Sequence, residues 1–375
     1  MEKHELENVG NPIISGGALY HPHARYKVLS FPQFEQMITE RLDAFGSVSI
    51  QAPLLDYYIS EHMEVLRIEK TEEGIFTYHI PESSEIEAFI QDLQARTDVR
   101  DKKLVPFKMR IKIENWIRDA ILRCGLHQHG NLDNEVMRFI KNYDDIIFAP
   151  DTNILLDCLF TSILLPKIAK EIDEEPKGCP NWILIAIPKL VMYEIERKAV
   201  RKFTYKEFPE RVGWPKYDSR IGHRALQEIL ILDTDTSYRG ISIMTIGEIP
   251  STYDNFKNDP TRWDSEIRVQ IRSFISNINF HKGLFFLTQD RLNAMMAKAE
   301  GLQALFLQKP LYKELIDKEI KTKNVGRLLY EIIITFGEVE IKNVARLSVF
   351  WPEKHVADWE KSRVAVKRVK DVEFK

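Results

Sequence analysis

From Asp144 onward the chain is punctuated by short, nearly continuous apolar runs, at residues 146–149, 182–187, 284–287 and 304–307, each followed by a stretch with helical periodicity. A strand wetted on one face alternates apolar and polar residues. A run without alternation asks for apolar surroundings on both faces, which is the condition of a parallel sheet covered by helices. Residues 144–310 are therefore expected to form a three-layer α/β/α sandwich about a parallel central sheet. In residues 311–375 a helix around 324–336 and strands near 339–350 and 363–369 either complete that unit or are appended to it.

Residues 1–143 read as a mixed α/β module. Strand-like pieces at 47–50 and 74–79 alternate with amphipathic helical pieces at 31–45, 84–96 and 107–124. With 375 residues and 44% hydrophobic content, the chain has the material for two or three such cores. Nothing repeats at a fixed period, so a solenoid is not expected.

The apolar stretches 154–166 and 182–187 are too interrupted or too short to span a bilayer, and the chain begins with the charged Met1-Glu2-Lys3-His4-Glu5, so neither a membrane span nor an export signal is expected. Cys124, Cys158 and Cys179 are too few and too scattered for a disulfide framework. Free thiols in a reducing, cytoplasmic setting are the expectation, with no membrane partner.

Four acids stand where chemistry gathers in an open parallel sheet, near the carboxyl ends of strands. Asp151 follows the run 146–149 directly, with the polar Thr152-Asn153 ahead of a helix. Asp290 holds the equivalent place in Leu287-Thr288-Gln289-Asp290-Arg291. Glu194 lies on the helix opened by Pro188, and Asp264 begins another helix in Trp263-Asp264-Ser265-Glu266-Ile267. Gathering carboxylates is costly, and a hard divalent cation is the usual reason that a fold tolerates it. Glu196, Glu266, Asp157, Asp233 and Asp235 lie near these positions and read as helix surface or turn.

Three of these stretches resemble the acidic motifs of PIN domains: residues 148–157, around Asp151; 187–196, around Glu194; and 287–291, continuing to 297–301, around Asp290. With Asp264 between the second and third, the order and spacing resemble the family over roughly residues 144–307. The resemblance implies a PIN-like ribonuclease, a hydrolase in which Asp151, Glu194, Asp264 and Asp290 ligate one or two Mg²⁺ or Mn²⁺ ions. Water is then activated for in-line attack on a phosphodiester of single-stranded RNA. Thr288 and Asn153 are expected to hydrogen-bond the ligand carboxylates.

A formal charge of −3 offers no global pull on a polyanion, so local clusters must supply it. Between Arg197 and Arg224 the chain is locally basic and carries interleaved aromatics, and Arg197, Lys198, Arg201, Lys202, Lys206 and Trp214 are the candidate nucleic-acid contacts. An insertion whose aromatics pack a satellite core is the equal alternative. Cys124-Gly125-Leu126-His127-Gln128-His129 lacks a second pair at zinc spacing, and His21 and His23 read as loop residues. No phosphate-cradling glycine loop appears.

Two other classes of function compete: a PIN scaffold without activity in an RNA or protein assembly, and a structure-specific DNA nuclease. The first module has room for a protein partner, and a homo-oligomer is compatible with everything above.

Overall fold

Alternation governs the beginning and end of the chain, continuity its middle, and the two patterns build two different sheets. The computed structural model describes residues 27–57, 59–71, 75–96, 105–127, 129–130, 132, 138, 142–143, 145–174, 182–207, 213–234, 240–251, 259–277, 283–349 and 363–368. His21, His23, Cys179 and Asp235 lie outside them.

The first part of the chain supplies β1 (Lys27–Ser30), α1 (Phe31–Phe45), β2 (Ser47–Leu54), β3 (Ile59–Lys70), β4 (Phe76–His79), α2 (Ser83–Arg96) and α3 (Pro106–Arg123). In α1 the buried residues are Phe34, Ile38 and Leu42, one per turn, so a single stripe faces the core. Gly46, at φ 71°, ends the helix in the left-handed conformation that a side chain resists.

The middle supplies β5 (Asp145–Pro150), α4 (Thr152–Leu156), α5 (Leu165–Glu174), β6 (Trp182–Pro188), α6 (Lys189–Ala199), α7 (Tyr217–Thr234), β7 (Ile241–Ile246), α8 (Pro260–Ser276), β8 (Gly283–Thr288), α9 (Arg291–Ala299) and β9 (Ala304–Phe306). Its sheet runs β7-β6-β5-β8-β9, and every pairing is parallel. The helices cover it around one apolar cluster that includes Phe148, Ile185, Phe286 and Ile267. The order turns at β5, which has β6 on one side and β8 on the other, so a crevice opens at their carboxyl ends. There Pro150 pairs with Leu287, and the Asp151 N–H donates to the Leu287 carbonyl at 2.8 Å.

The end of the chain, β10 (Lys318–Ile320), α10 (Thr322–Phe336), β11 (Glu338–Ile341), β12 (Ala345–Val349) and β13 (Arg363–Arg368), corrects the expectation that it completes or extends the parallel unit. Its strands join the first ones in an antiparallel sheet of order β1-β13-β12-β11-β2-β3-β4-β10. Ile341 stands opposite Ile50, and Val28 opposite Ala365. The physical reason is alternation. Val339, Ile341, Ala345 and Leu347 face the core while Arg346 is exposed, a pattern suited to a sheet with one wet face. The parallel unit is thus inserted between the two halves of the antiparallel one. Helix α10, buried almost all round, forms the centre of the second core.

The two units meet through buried charge. Glu331 of α10 accepts from Arg123 Nε of α3 at 2.9 Å and from Arg224 Nε of α7 at 2.8 Å. Burial alone would raise the Glu331 carboxyl, but Arg224 and Arg123 outweigh it and hold it below its ordinary value. Arg220 of α7 donates to the Ile334 and Thr335 carbonyls, both at 2.8 Å, and to Asp56 at 3.0 Å. At Gly125, φ 69°, a Cβ would stand 2.3 Å from the Ser162 carbonyl oxygen, so only glycine lets the two backbones approach so closely. Cys124 and Cys158 are free and buried, and among the described residues no helix is long and apolar enough to cross a membrane.

Candidate active site

Each acid at the carboxyl end of the parallel sheet owes its place to a strand or a helix start. Asp151 follows β5 as the cap of α4, and its Oδ1 accepts from the Thr152 N–H at 2.7 Å. Its Oδ2 accepts from Thr288 Oγ1 at 2.6 Å, Asn153 Nδ2 at 3.0 Å and Asn293 Nδ2 at 3.1 Å. Asp290 follows β8 as the cap of α9, where Oδ1 takes the N–H groups of Leu292 and Asn293. Glu194 lies in the second turn of α6, its Oε2 accepting from Thr152 Oγ1 at 2.6 Å and its Oε1 standing 3.7 Å from Lys198 Nζ. Asp264 sits one turn into α8.

The electrostatics show that these acids share one field. Burial, then the charges of Asp151, Asp290 and Glu194, push the Asp264 carboxyl up to about 7, with Arg268 opposing them. Burial also raises the Asp151 carboxyl, against the hydrogen bonds from Thr288, Thr152 and Asn293. The oxygen-only donors and the mutual repulsion of their charges fit a hard divalent cation. Among the described residues, however, no three His, Cys, Asp or Glu side chains close around one point that would hold an ion.

The carboxylates rest on a polar frame that fixes amide orientations. The Gln289 backbone N–H donates to Asn153 Oδ1 at 3.0 Å, so the Asn153 NH₂ is the end turned to Asp151. Arg268 donates to Asn293 Oδ1 and so turns the Asn293 NH₂ toward the same carboxylate. Thr288 gives its hydroxyl proton to Asp151 and accepts the Asp290 N–H at 3.0 Å, joining two of the acids. Gln289 Nε2 lies 3.0 Å from Nε2 of His129, an imidazole that burial first, and then Lys309, hold neutral with a pKa of about 3.

Sequence reasoning did not find Thr152 as the link to Glu194, nor Asn293, Arg268, Gln289 and His129. Two carried a signal. Arg268 is four residues after Asp264 on one helix, and Asn293 is three after the cap Asp290, spacings that place each pair on a common face. His129 carried none, because the residue that it meets is remote in the chain.

The other flagged acids stand apart. Glu196 and Asp233 are exposed, Glu266 is half-buried, and Asp157 is buried and paired with Lys309. In the basic segment Arg201 pairs with Asp218 and Lys216 with Glu207, while Arg220 and Arg224 are buried between the units. Trp214 packs on Leu55 and Phe203 in a small apolar cluster, which departs from the expectation of a stacking platform and agrees with the satellite-core alternative. Lys202 and Lys206 are exposed.

A central parallel sheet with acids gathered at its switch point defines an α/β unit. Residues 148–308 match the family model of the PIN domain, a family of nucleases in general. Among solved structures, a domain of a functionally unknown protein from Methanocaldococcus jannaschii DSM 2661 is similar over 47% of this chain and 96% of its own, at 20% identity and a TM-score of 0.29, a likeness too slight to carry argument. No curated protein matches the chain.

Proposed function

We propose that the chain is a metal-dependent endoribonuclease that hydrolyses phosphodiester bonds of single-stranded RNA. The observation that carries the reading is Asp264, whose proton is held to about pH 7 by burial and by acids from three other elements. Asp151, Glu194, Asp264 and Asp290 would hold Mg²⁺ or Mn²⁺, and the bound ion supplies activated water and neutralises the scissile phosphate. The frame of Thr152, Asn153, Thr288 and Asn293 keeps the carboxylates oriented. Lys198 at Glu194, together with exposed Lys202 and Lys206, offers charge to the approaching phosphates. The RNA preference follows from the family resemblance.

The test is labelled single-stranded RNA with Mn²⁺ or Mg²⁺. Wild type is expected to cut it, and to stop with EDTA and in Asp151→Asn. Asp290→Asn is the second variant, because asparagine still caps α9 and keeps the fold. Preference for DNA flaps or duplex ends over RNA would replace this reading by a DNA nuclease. Absence of cutting by well-folded wild type in every metal would leave the scaffold.

A further inference from the structure

The stretch between α3 and β5 links the two cores: Leu126 packs on the antiparallel core, and Leu132 belongs to the parallel one. Between them His129 is 2% exposed, and the Leu132 N–H donates to its carbonyl at 3.0 Å. Its ring meets the Gln289 side chain through Nε2, while its Nδ1 is buried without a partner among the described residues. Since Nε2 carries the contact, any side chain that places a polar atom there could replace it.

We propose that His129 is a positioning residue of the carboxylate site, acting through Gln289 and Asn153 on Asp151. The route is continuous. His129 fixes the Gln289 side chain, the Gln289 backbone N–H fixes Asn153 Oδ1 at 3.0 Å, and Asn153 Nδ2 fixes Asp151 Oδ2 at 3.0 Å. Gln289 is also the residue between Thr288, which holds Asp151, and Asp290, so its backbone sets the path of both neighbours. Lys309 bridges Asp119 of α3 to Asp157 after α4, a second tie between the two units. Outer hydrogen bonds of this kind orient ligands without touching an ion. His129 would therefore be the point through which the antiparallel unit steadies the acids of the parallel one.

The role rests on the metal reading above, and its test separates the two. In the full-length chain, His129→Leu removes the contact and His129→Gln returns a polar atom to the position of Nε2. Mn²⁺ titration is expected to show binding weakened by about tenfold or more in His129→Leu and restored near wild type in His129→Gln, as for other outer-sphere partners. Hydrogen exchange of the Gln289 amide is expected to quicken in the leucine variant and not in the glutamine one. Unchanged exchange in His129→Leu would overturn the role, as would equal Mn²⁺ weakening in both variants. If wild type takes up no Mn²⁺, it is the metal reading that falls, and the exchange measurement alone then decides for or against His129.

Discussion

Thr152 and Glu194 are joined by a 2.6 Å hydrogen bond, while the Thr152 backbone N–H holds Asp151 at 2.7 Å, so one residue ties together two acids that are far apart in the chain. Thr152→Val keeps the buried shape and the backbone bond but deletes the hydroxyl. Glu194 is part-exposed, and water can satisfy the oxygen released. Stability is therefore expected to fall by only about 1 kcal/mol. Mn²⁺ affinity is expected to fall by roughly 10- to 100-fold, because Glu194 loses its orientation. Calorimetric titration beside urea unfolding checks both, and an unchanged affinity would remove Thr152 from the site.

Asp264 makes the metal-free protein sensitive to pH in a definite direction. Its carboxyl is raised from 3.8 to about 7 by burial and by the neighbouring acids. Near pH 4 and below, the proton is held in the folded chain and no penalty arises. As pH climbs towards 7 the unfolded chain ionises first, and folding stability drains away until the folded carboxyl has ionised too. Asp264→Asn should leave the melting temperature unaltered at about pH 4 and raise it at about pH 8 in EDTA. Mn²⁺ should then reverse the order, stabilising wild type more than the variant. Thermal scans at the two pH values show it, and a gain that is independent of pH would contradict the assignment.

How far the sequence disclosed this depends on which forces act locally. The strands of Asp151 and Asp290 were legible because an apolar run buried on both faces has no alternation. Strand β7 was not, since at the edge of the sheet Ser242, Met244 and Thr245 are exposed and the run loses its signature. Strand β3, with Glu61, Glu64, Arg67 and Glu69 among its apolar residues, likewise hides behind its wet face. The acids themselves could be picked out, because Asp151 and Asp290 follow strand ends and Glu194 and Asp264 lie within the first two turns of helices that local pattern marks. Of their polar frame Thr288 and Asn153, neighbours of the acids in the chain, could be named as well, but the contacts of Thr152 with Glu194 and of Gln289 with His129 could not, because they form only when segments remote in sequence come side by side.

Nucleic-acid affinity should depend on fewer cations than the basic segment offers. Arg201 and Lys216 are paired with carboxylates, while Lys202 and Lys206 are exposed. Replacing Lys202 and Lys206 together by Ala is expected to weaken RNA binding and to lower the salt slope by about 1.4, roughly 0.7 for each phosphate of a single strand no longer neutralised. Trp214→Ala should instead reduce stability, because its ring covers Leu55 and Phe203. Filter binding across ionic strength, with a melting curve for each variant, separates the two effects. A salt slope unchanged in the double variant would move the RNA path elsewhere.

Glu331 carries the heaviest electrostatic demand at the junction. Its carboxylate faces Arg123 from the antiparallel unit and Arg224 from the inserted one, with all three side chains buried. Glu331→Gln keeps the volume but takes from the buried Arg123 and Arg224 the carboxylate they share, Arg224 keeping Glu228 at 3.9 Å. A loss of about 3–5 kcal/mol is expected, in the range measured when one partner of a buried pair is removed. Acid should act in the same direction on wild type. Because the folded carboxyl is held below its ordinary 4.5, its contribution is full above that value and disappears as pH falls through the lower folded one. Replacing Glu331 and Arg123 together by apolar residues of similar size should cost less than the single change, since Arg224 keeps Glu228 at 3.9 Å as its counter-charge. Urea unfolding followed by tryptophan fluorescence measures the series. The single variant is expected to unfold in two separated transitions, because Glu331 holds charges from two cores that otherwise have their own apolar interiors. A single cooperative transition at the wild-type midpoint would mean that packing across Gly125 and α10, rather than charge, keeps the units together.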